Sequence, residues 1–187
     1  MDKKKRTMID EYEINPFTMM ITPVAYGSKT YSRILELGGE FLSPFRPIEI
    51  IKKSCDYFGC SYEGRIDGTK RLIGITHKVP ITIDPTNSIY FFPTISPLNS
   101  KCIWISHEHV LSHKRYKQNS TLVTFRNRES YAIPISCTSF ENQLMRTALL
   151  RTKLMQRIEE TERRSMYFYK DQWHFEASEE PEEYDEK

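Results

Sequence analysis

The segment from Thr138 to Arg164, TSFENQLMRTALLRTKLMQRIEETERR, constrains the fold most, because it combines an apolar face with a separate line of positive charge. Thr138 followed by Glu141 matches a capping box, in which each side chain satisfies a backbone N–H left open at a helix start. The spacing predicts a helix beginning near Ser139. At about 100° per residue, Phe140, Leu144, Ala148, Leu154, Met155 and Ile158 fall on one side, as a core-facing helix requires. Arg146, Lys153, Arg157 and Arg164 share a strip pointing elsewhere, bordered by Glu160. About 25 helical residues span roughly 37 Å, well beyond an ordinary globular helix. The strip suits either a solvated face or a track of phosphate contacts. Arg151 projects near the middle of the apolar face, where a charge must snorkel, pair with a carboxylate or reach a phosphate. Snorkelling is the expectation. Leu149 and Leu150 fall off the main apolar face and suit either a second subunit or more core.

The chain has 187 residues, enough for one well-buried domain with tails. Its formal charge of +2 conceals an asymmetry: the last twelve residues carry −6, leaving +8 on residues 1–175. A basic body beside an acidic tail suits a nucleic-acid binder, although such tails also serve solubility alone. The start, MDKKKRTMIDEYEI, is basic but lacks an apolar stretch behind it, and no window reaches ~18 uninterrupted apolar residues. A cytoplasmic, nucleoid-associated protein without membrane contact is expected. Cys55, Cys60, Cys102 and Cys137 are then thiols in a reducing compartment, read as small core residues.

Residues 1–8 read as a flexible basic arm, 9–164 as a single α+β domain, and 165–187 as an aromatic segment followed by a disordered acidic tail. Strand-like runs at Glu11 to Ile14, Thr18 to Val24 and Thr30 to Leu37 are separated by Pro16, Pro23, Gly27 and Gly38-Gly39. Pro47 opens a helix that sets Ile48, Ile51, Cys55 and Phe58 on one side and stops at Gly59. Glu63 to Arg71 reads as a Gly-bracketed basic turn. Further strands are expected at Ile81 to Ile83, Ile89 to Phe92 and Cys102 to Ile105, with prolines between them. A hairpin joins Thr121 to Phe125 with Tyr131 to Ile135 through a cationic tip. The fold class is α+β: a twisted antiparallel sheet with two main helices, the longer near the C-terminus.

Chemistry offers less. His107 and His109 in WISHEHV are two apart, so on a strand both leave one face and suit a shared metal, but further ligands would have to come from folding. Cys55 and Cys60 lack a zinc spacing and a second pair. No G-x-S-x-G, P-loop or G-x-G-x-x-G is present. Neither a cofactor nor a metal is expected, and the chain is read as no enzyme. The rival is a metal-dependent nucleic-acid enzyme using His107, His109 and Glu108 or Asp84. The basic loops point more directly to a polyanion: Lys70 and Arg71, then Lys114, Arg115 and Lys117 around Tyr116, then Arg126 and Arg128.

The strings SCDYFGCSYEGR (54–65), THKVPITIDPTNSIYFFPT (76–94), IWISHEHV (103–110) and SFENQLMRTALLRTK (139–153) resemble the ComK family of competence transcription factors, over about Tyr12 to Lys170. The resemblance implies a sequence-selective activator of genes for DNA uptake and recombination. Such a protein would act with RNA polymerase and bind A·T-rich double-stranded DNA as an oligomer, dimer or tetramer, through the minor groove. Narrow A·T minor grooves concentrate negative potential and attract Arg and Lys. The positions expected to contact DNA are Arg65, Lys70, Arg71, Lys114, Arg115, Lys117, Arg126, Arg128, Arg146, Lys153 and Arg157. The resemblance further implies a protease adaptor that reads a hydrophobic segment near the carboxyl end. Met166, Tyr167, Phe168, Tyr169 and Lys170 stand in that place, although Tyr169 occupies a position where proline is the family's common choice.

Overall fold

The computed structural model describes residues 7–176, with side chains as far as Met166. In chain order the elements are β1 (Thr7–Met8), β2 (Thr18–Tyr26), β3 (Lys29–Glu36), β4 (Glu40–Ser43), α1 (Pro47–Tyr57), α2 (Tyr62–Ile73), β5 (Ile81–Asp84) and β6 (Ile89–Pro93). They continue with β7 (Trp104–Ser106), β8 (Val110–Arg115), β9 (Thr121–Phe125), β10 (Ser130–Ile133) and α3 (Cys137–Glu176). A seven-stranded sheet runs β1-β4-β3-β2-β7-β6-β5, and a three-stranded sheet runs β10-β9-β8. The α+β class with its longest helix at the C-terminal end is as the sequence suggested. The large sheet is mixed, because β1 lies parallel to β4 while its other pairings are antiparallel.

Side chains alternate across the pleat, and in the centre of the large sheet both faces are buried. Ile21, Ile34, Phe91 and Trp104 enter one core with Ile50, Ile51 and Cys55 of α1. Their strand neighbours Met20, Leu35, Phe92 and Ile105 enter a second core with Val123 and Phe125 of β9 and Phe140 of α3. Each large apolar side chain so buried contributes about 1.5–3 kcal/mol. The result is three layers: α1 with α2, then the seven-stranded sheet, then the three-stranded sheet with α3.

Several elements depart from the sequence reading. Glu11 to Ile14 makes no strand; Tyr12 and Ile14 are buried, and the Ile14 N–H donates to Ser54 Oγ of α1 at 2.9 Å. Glu63 to Arg71 is no turn but most of α2, a third helix. Ser61 caps its start by accepting the Gly64 N–H, and Gly74, at φ 71°, closes its end with an N–H to Lys70 O. Gly64 and Gly68 weaken this helix by about 1 kcal/mol each, yet the two caps and its packing against the core through Tyr62 and Ile66 hold it.

Helix α3 starts earlier than expected. Ser136, not Thr138, accepts the Ser139 N–H at 3.2 Å, and the first helical bond runs from Phe140 N to Ser136 O. Glu141 therefore turns to His113 and Cys137 rather than completing a capping box. The buried stripe is also rotated: Phe140, Gln143, Thr147 and Leu150 are the fully buried positions. Gln143 Nε2 donates to Pro93 O at 2.7 Å and to Lys78 O at 3.0 Å. A polar side chain thus sits at the centre of the face that a hydrophobic projection assigned to Leu144 and Ala148. Among the cysteines, Cys55 and Cys102 are core residues as read, but Cys60 and Cys137 are only partly buried, and all four are free thiols.

Candidate nucleic-acid interface

The four cations read as one strip on α3 divide into two pairs. Arg146 Nη1 reaches the His77 carbonyl and Gln143 Oε1, each at 3.4 Å, and Lys153 Nζ donates to the Leu72 carbonyl at 3.0 Å. These two side chains fasten the end of α2 and the loop behind it onto α3. Arg157 and Arg164 are exposed and, among the described residues, their guanidinium groups make no hydrogen bond or ion pair. Beside the same seam, Arg71 is exposed and equally uncommitted. Lys70 pairs with Asp67 at 3.0 Å, and Arg65 Nε donates to Cys60 Sγ at 3.0 Å. Arg71 is next to Leu72 in the chain, and Arg157 lies one turn beyond Lys153 on α3.

The cations of the three-stranded sheet lie at its two ends. Lys114 and Arg115 close β8, and Lys117 follows in the β8–β9 loop with its ammonium 5.3 Å from the Tyr116 ring centre. Arg126 and Arg128 occupy the opposite turn, between β9 and β10. The length of β9 separates the groups by roughly 15 Å. Lys114, Arg115, Lys117 and Arg128 are exposed without ion-pair partners among the described residues. Arg128 holds φ 69°, a left-handed conformation costly for a side chain other than glycine.

Arg126 is committed. Its guanidinium donates to the Glu108 backbone carbonyl and, at 2.6 Å, to the Glu108 carboxylate. Arg151 takes the other Glu108 oxygen at 3.3 Å. Arg151 thus pairs with a carboxylate rather than merely snorkelling, and Glu108 ties the hairpin tip to the middle of α3.

This arrangement bears on His107 and His109. They lie in the turn between β7 and β8, not on a strand, so the two-residue spacing does not give them a common face. His109 Nε2 is 2.8 Å from Pro16 O, which fixes it as the N–H donor there. Burial, aided by Arg126, pushes the His109 pKa down, and burial with Arg151 does the same to His107. Asp84 accepts the Thr86 N–H and the Asn87 amide in the β5–β6 turn. The carboxylates named for an enzymatic reading are therefore structural in their contacts. The sequence missed the Glu108 clamp and the Gln143 anchor, because both are made by residues distant along the chain.

Residues 9–159 match the family described as ComK protein. The chain belongs to the ComK family. It is 42% identical over 159 residues to the competence transcription factor of Bacillus subtilis (strain 168), covering 85% of this chain and 83% of that relative. No solved structure matches the chain.

In this ComK-family chain the backbone of α3 continues through the segment read as an aromatic adaptor signal and ends at Glu176. Met166 is 72% exposed; the side chains of Tyr167, Phe168, Tyr169 and Lys170, and the acidic residues from 177 onward, lie outside the described residues. Among the described residues, no helix is long and apolar enough to cross a membrane.

Proposed function

We propose that this ComK-family chain is a sequence-specific transcriptional activator of competence genes that binds A·T-rich boxes as a dimer or tetramer, through the minor groove. The observation that carries the reading is the 42% identity to a competence transcription factor along most of the chain. The geometry supports a division of labour among its cations. Arg71, Lys114, Arg115, Lys117, Arg128 and Arg157 contact DNA, whereas Arg65, Arg126, Arg146 and Lys153, held by partners outside their own element or at its edge, position the elements that carry them. Among the described residues, Lys70 is paired only with Asp67, within α2. Loop-borne arginines suit the narrow, strongly negative groove of A·T tracts. RNA polymerase as partner, a nucleoid location in the cytoplasm and adaptor reading of Met166 to Lys170 belong to the same proposal. Among the described residues, no ligand set is assembled at His107 and His109 to support the metal-dependent enzyme.

The test is binding to an A·T-box duplex and to a G·C-rich control over a salt series, with mass measured in solution on the same samples. Preference for the A·T box with a steep salt dependence is expected. Equal affinity for the two duplexes overturns sequence-specific binding, and a monomer on the box overturns the oligomer.

A further inference from the structure

Three side chains of different chemistry converge where β8 meets the first turn of α3, beside the cationic end of β8 at Lys114 and Arg115. His113 Nε2 is 3.4 Å from Glu141 Oε1, and Cys137 Sγ is 3.5 Å from the same oxygen. The imidazole nitrogen, the thiol sulfur and the carboxylate oxygen all lie within 4.8 Å of one another. We propose that His113, Cys137 and Glu141 form a zinc site clipping the three-stranded sheet to α3.

The donor set selects the ion. A thiolate with an imidazole suits zinc, and the thiolate disfavours magnesium and calcium, which take oxygen. Ligand bonds of about 2.0–2.3 Å in a tetrahedron put neighbouring donor atoms roughly 3.3–3.7 Å apart. The two measured edges already fall in that range. The backbone requires little change, since Cys137 and Glu141 are i and i+4 on one helix face. The His113 ring lies against Phe140, with centres 5.3 Å apart, which restricts its orientation. His113 and Cys137 are partly buried and Glu141 is exposed, so the ion can enter from solvent.

Binding replaces the present hydrogen bonds. The Cys137 thiol releases its proton to solvent, His113 presents a neutral Nε2 with its remaining proton on Nδ1, and Glu141 supplies a carboxylate oxygen. Three protein ligands leave a fourth position. Cys137 also lines a cavity of about 450 Å³ with Arg115, Lys117 and Ser136, and water is the ordinary fourth ligand of a three-residue zinc site. No short motif in the sequence announced the set, because His113 is brought to the α3 pair only by folding.

The experiment uses the full chain, stripped with a chelator and titrated with cobalt(II) and zinc. One ion per chain and a thiolate-to-cobalt charge-transfer band are expected. Cys137→Ser and His113→Gln should lose the band and weaken zinc by more than the ~100-fold that removal of even an outer partner can cost, while Cys60→Ser keeps both. A missing band in the unaltered chain, or one that persists in Cys137→Ser, overturns the site. Alkylation followed by peptide mapping tests the unaltered protein independently of how the variants fold. Zinc should slow modification of Cys137 but not of Cys60, and equal Cys137 rates with and without zinc overturn it.

Discussion

Lys153 donates to the carbonyl of Leu72 at 3.0 Å, joining the middle of α3 to the last turn of α2. That carbonyl belongs to the set an α-helix leaves without an internal partner, and a cation there also complements the helix dipole. Replacing Lys153 by Met should cost about 1 kcal/mol in urea unfolding. The salt dependence of DNA binding should stay unchanged, and a slope lowered by about 1 would instead make Lys153 a phosphate contact.

Arg71 and Arg157 flank that join without internal partners among the described residues. Changing both to Ala should leave the unfolding free energy within about 0.5 kcal/mol of the parent, as exposed positions do. The slope of log affinity against log salt should become shallower by roughly 0.9 for each phosphate that is no longer neutralised. An unaltered slope would remove these two residues from the interface.

Leu149 and Leu150 are neighbours with opposite fates: Leu149 is 42% exposed and Leu150 is 1% exposed. Leu149→Glu should remain folded, and its mass in solution reports whether this side of α3 joins copies. Leu150→Glu buries an unpaired carboxylate and should cost upwards of ~3 kcal/mol, with loss of cooperative unfolding. Equal midpoints for the two variants would contradict the orientation of α3.

The pair His107 and His109 predicts the acid limb of stability. Burial holds both pKa values below the ordinary 6.5 in the folded chain. Unfolding frees them to bind protons, so their stabilising contribution is complete above about pH 6.5 and is lost as pH falls below it. The thermal midpoint should drop from pH 7 towards about pH 5, and less so in a His107→Gln, His109→Gln variant. A drop of the same size in the variant would assign the acid limb to other groups.

The elements legible in the sequence were those set by local signals. The strands carrying Ile21, Ile34, Phe91 and Trp104, the Pro47 helix and the long C-terminal helix all announce themselves by periodicity and punctuation. Helix α2 was hidden by Gly64 and Gly68, which read as turn residues until Ser61 and Gly74 are seen to cap the helix that holds them. The candidate site was legible only as a set of charges. Whether a given cation is free depends on partners far along the chain, as with Arg126 and Arg151 on Glu108, Lys153 on Leu72 and Arg146 on His77. Neighbouring residues in the sequence carry no trace of those pairings.

The two carbonyls held by Gln143 come from separate segments, one at Lys78 in the loop after α2 and one at Pro93 at the end of β6. Sliding α3 along its axis by one turn, about 5.4 Å, would bring Phe140 or Thr147 opposite them. Phenylalanine has no donor to offer, and threonine has a single hydroxyl proton where two acceptors wait. The amide therefore works as a key with one lock position, giving α3 a fixed phase and setting how far its outer half reaches beyond the body of the protein.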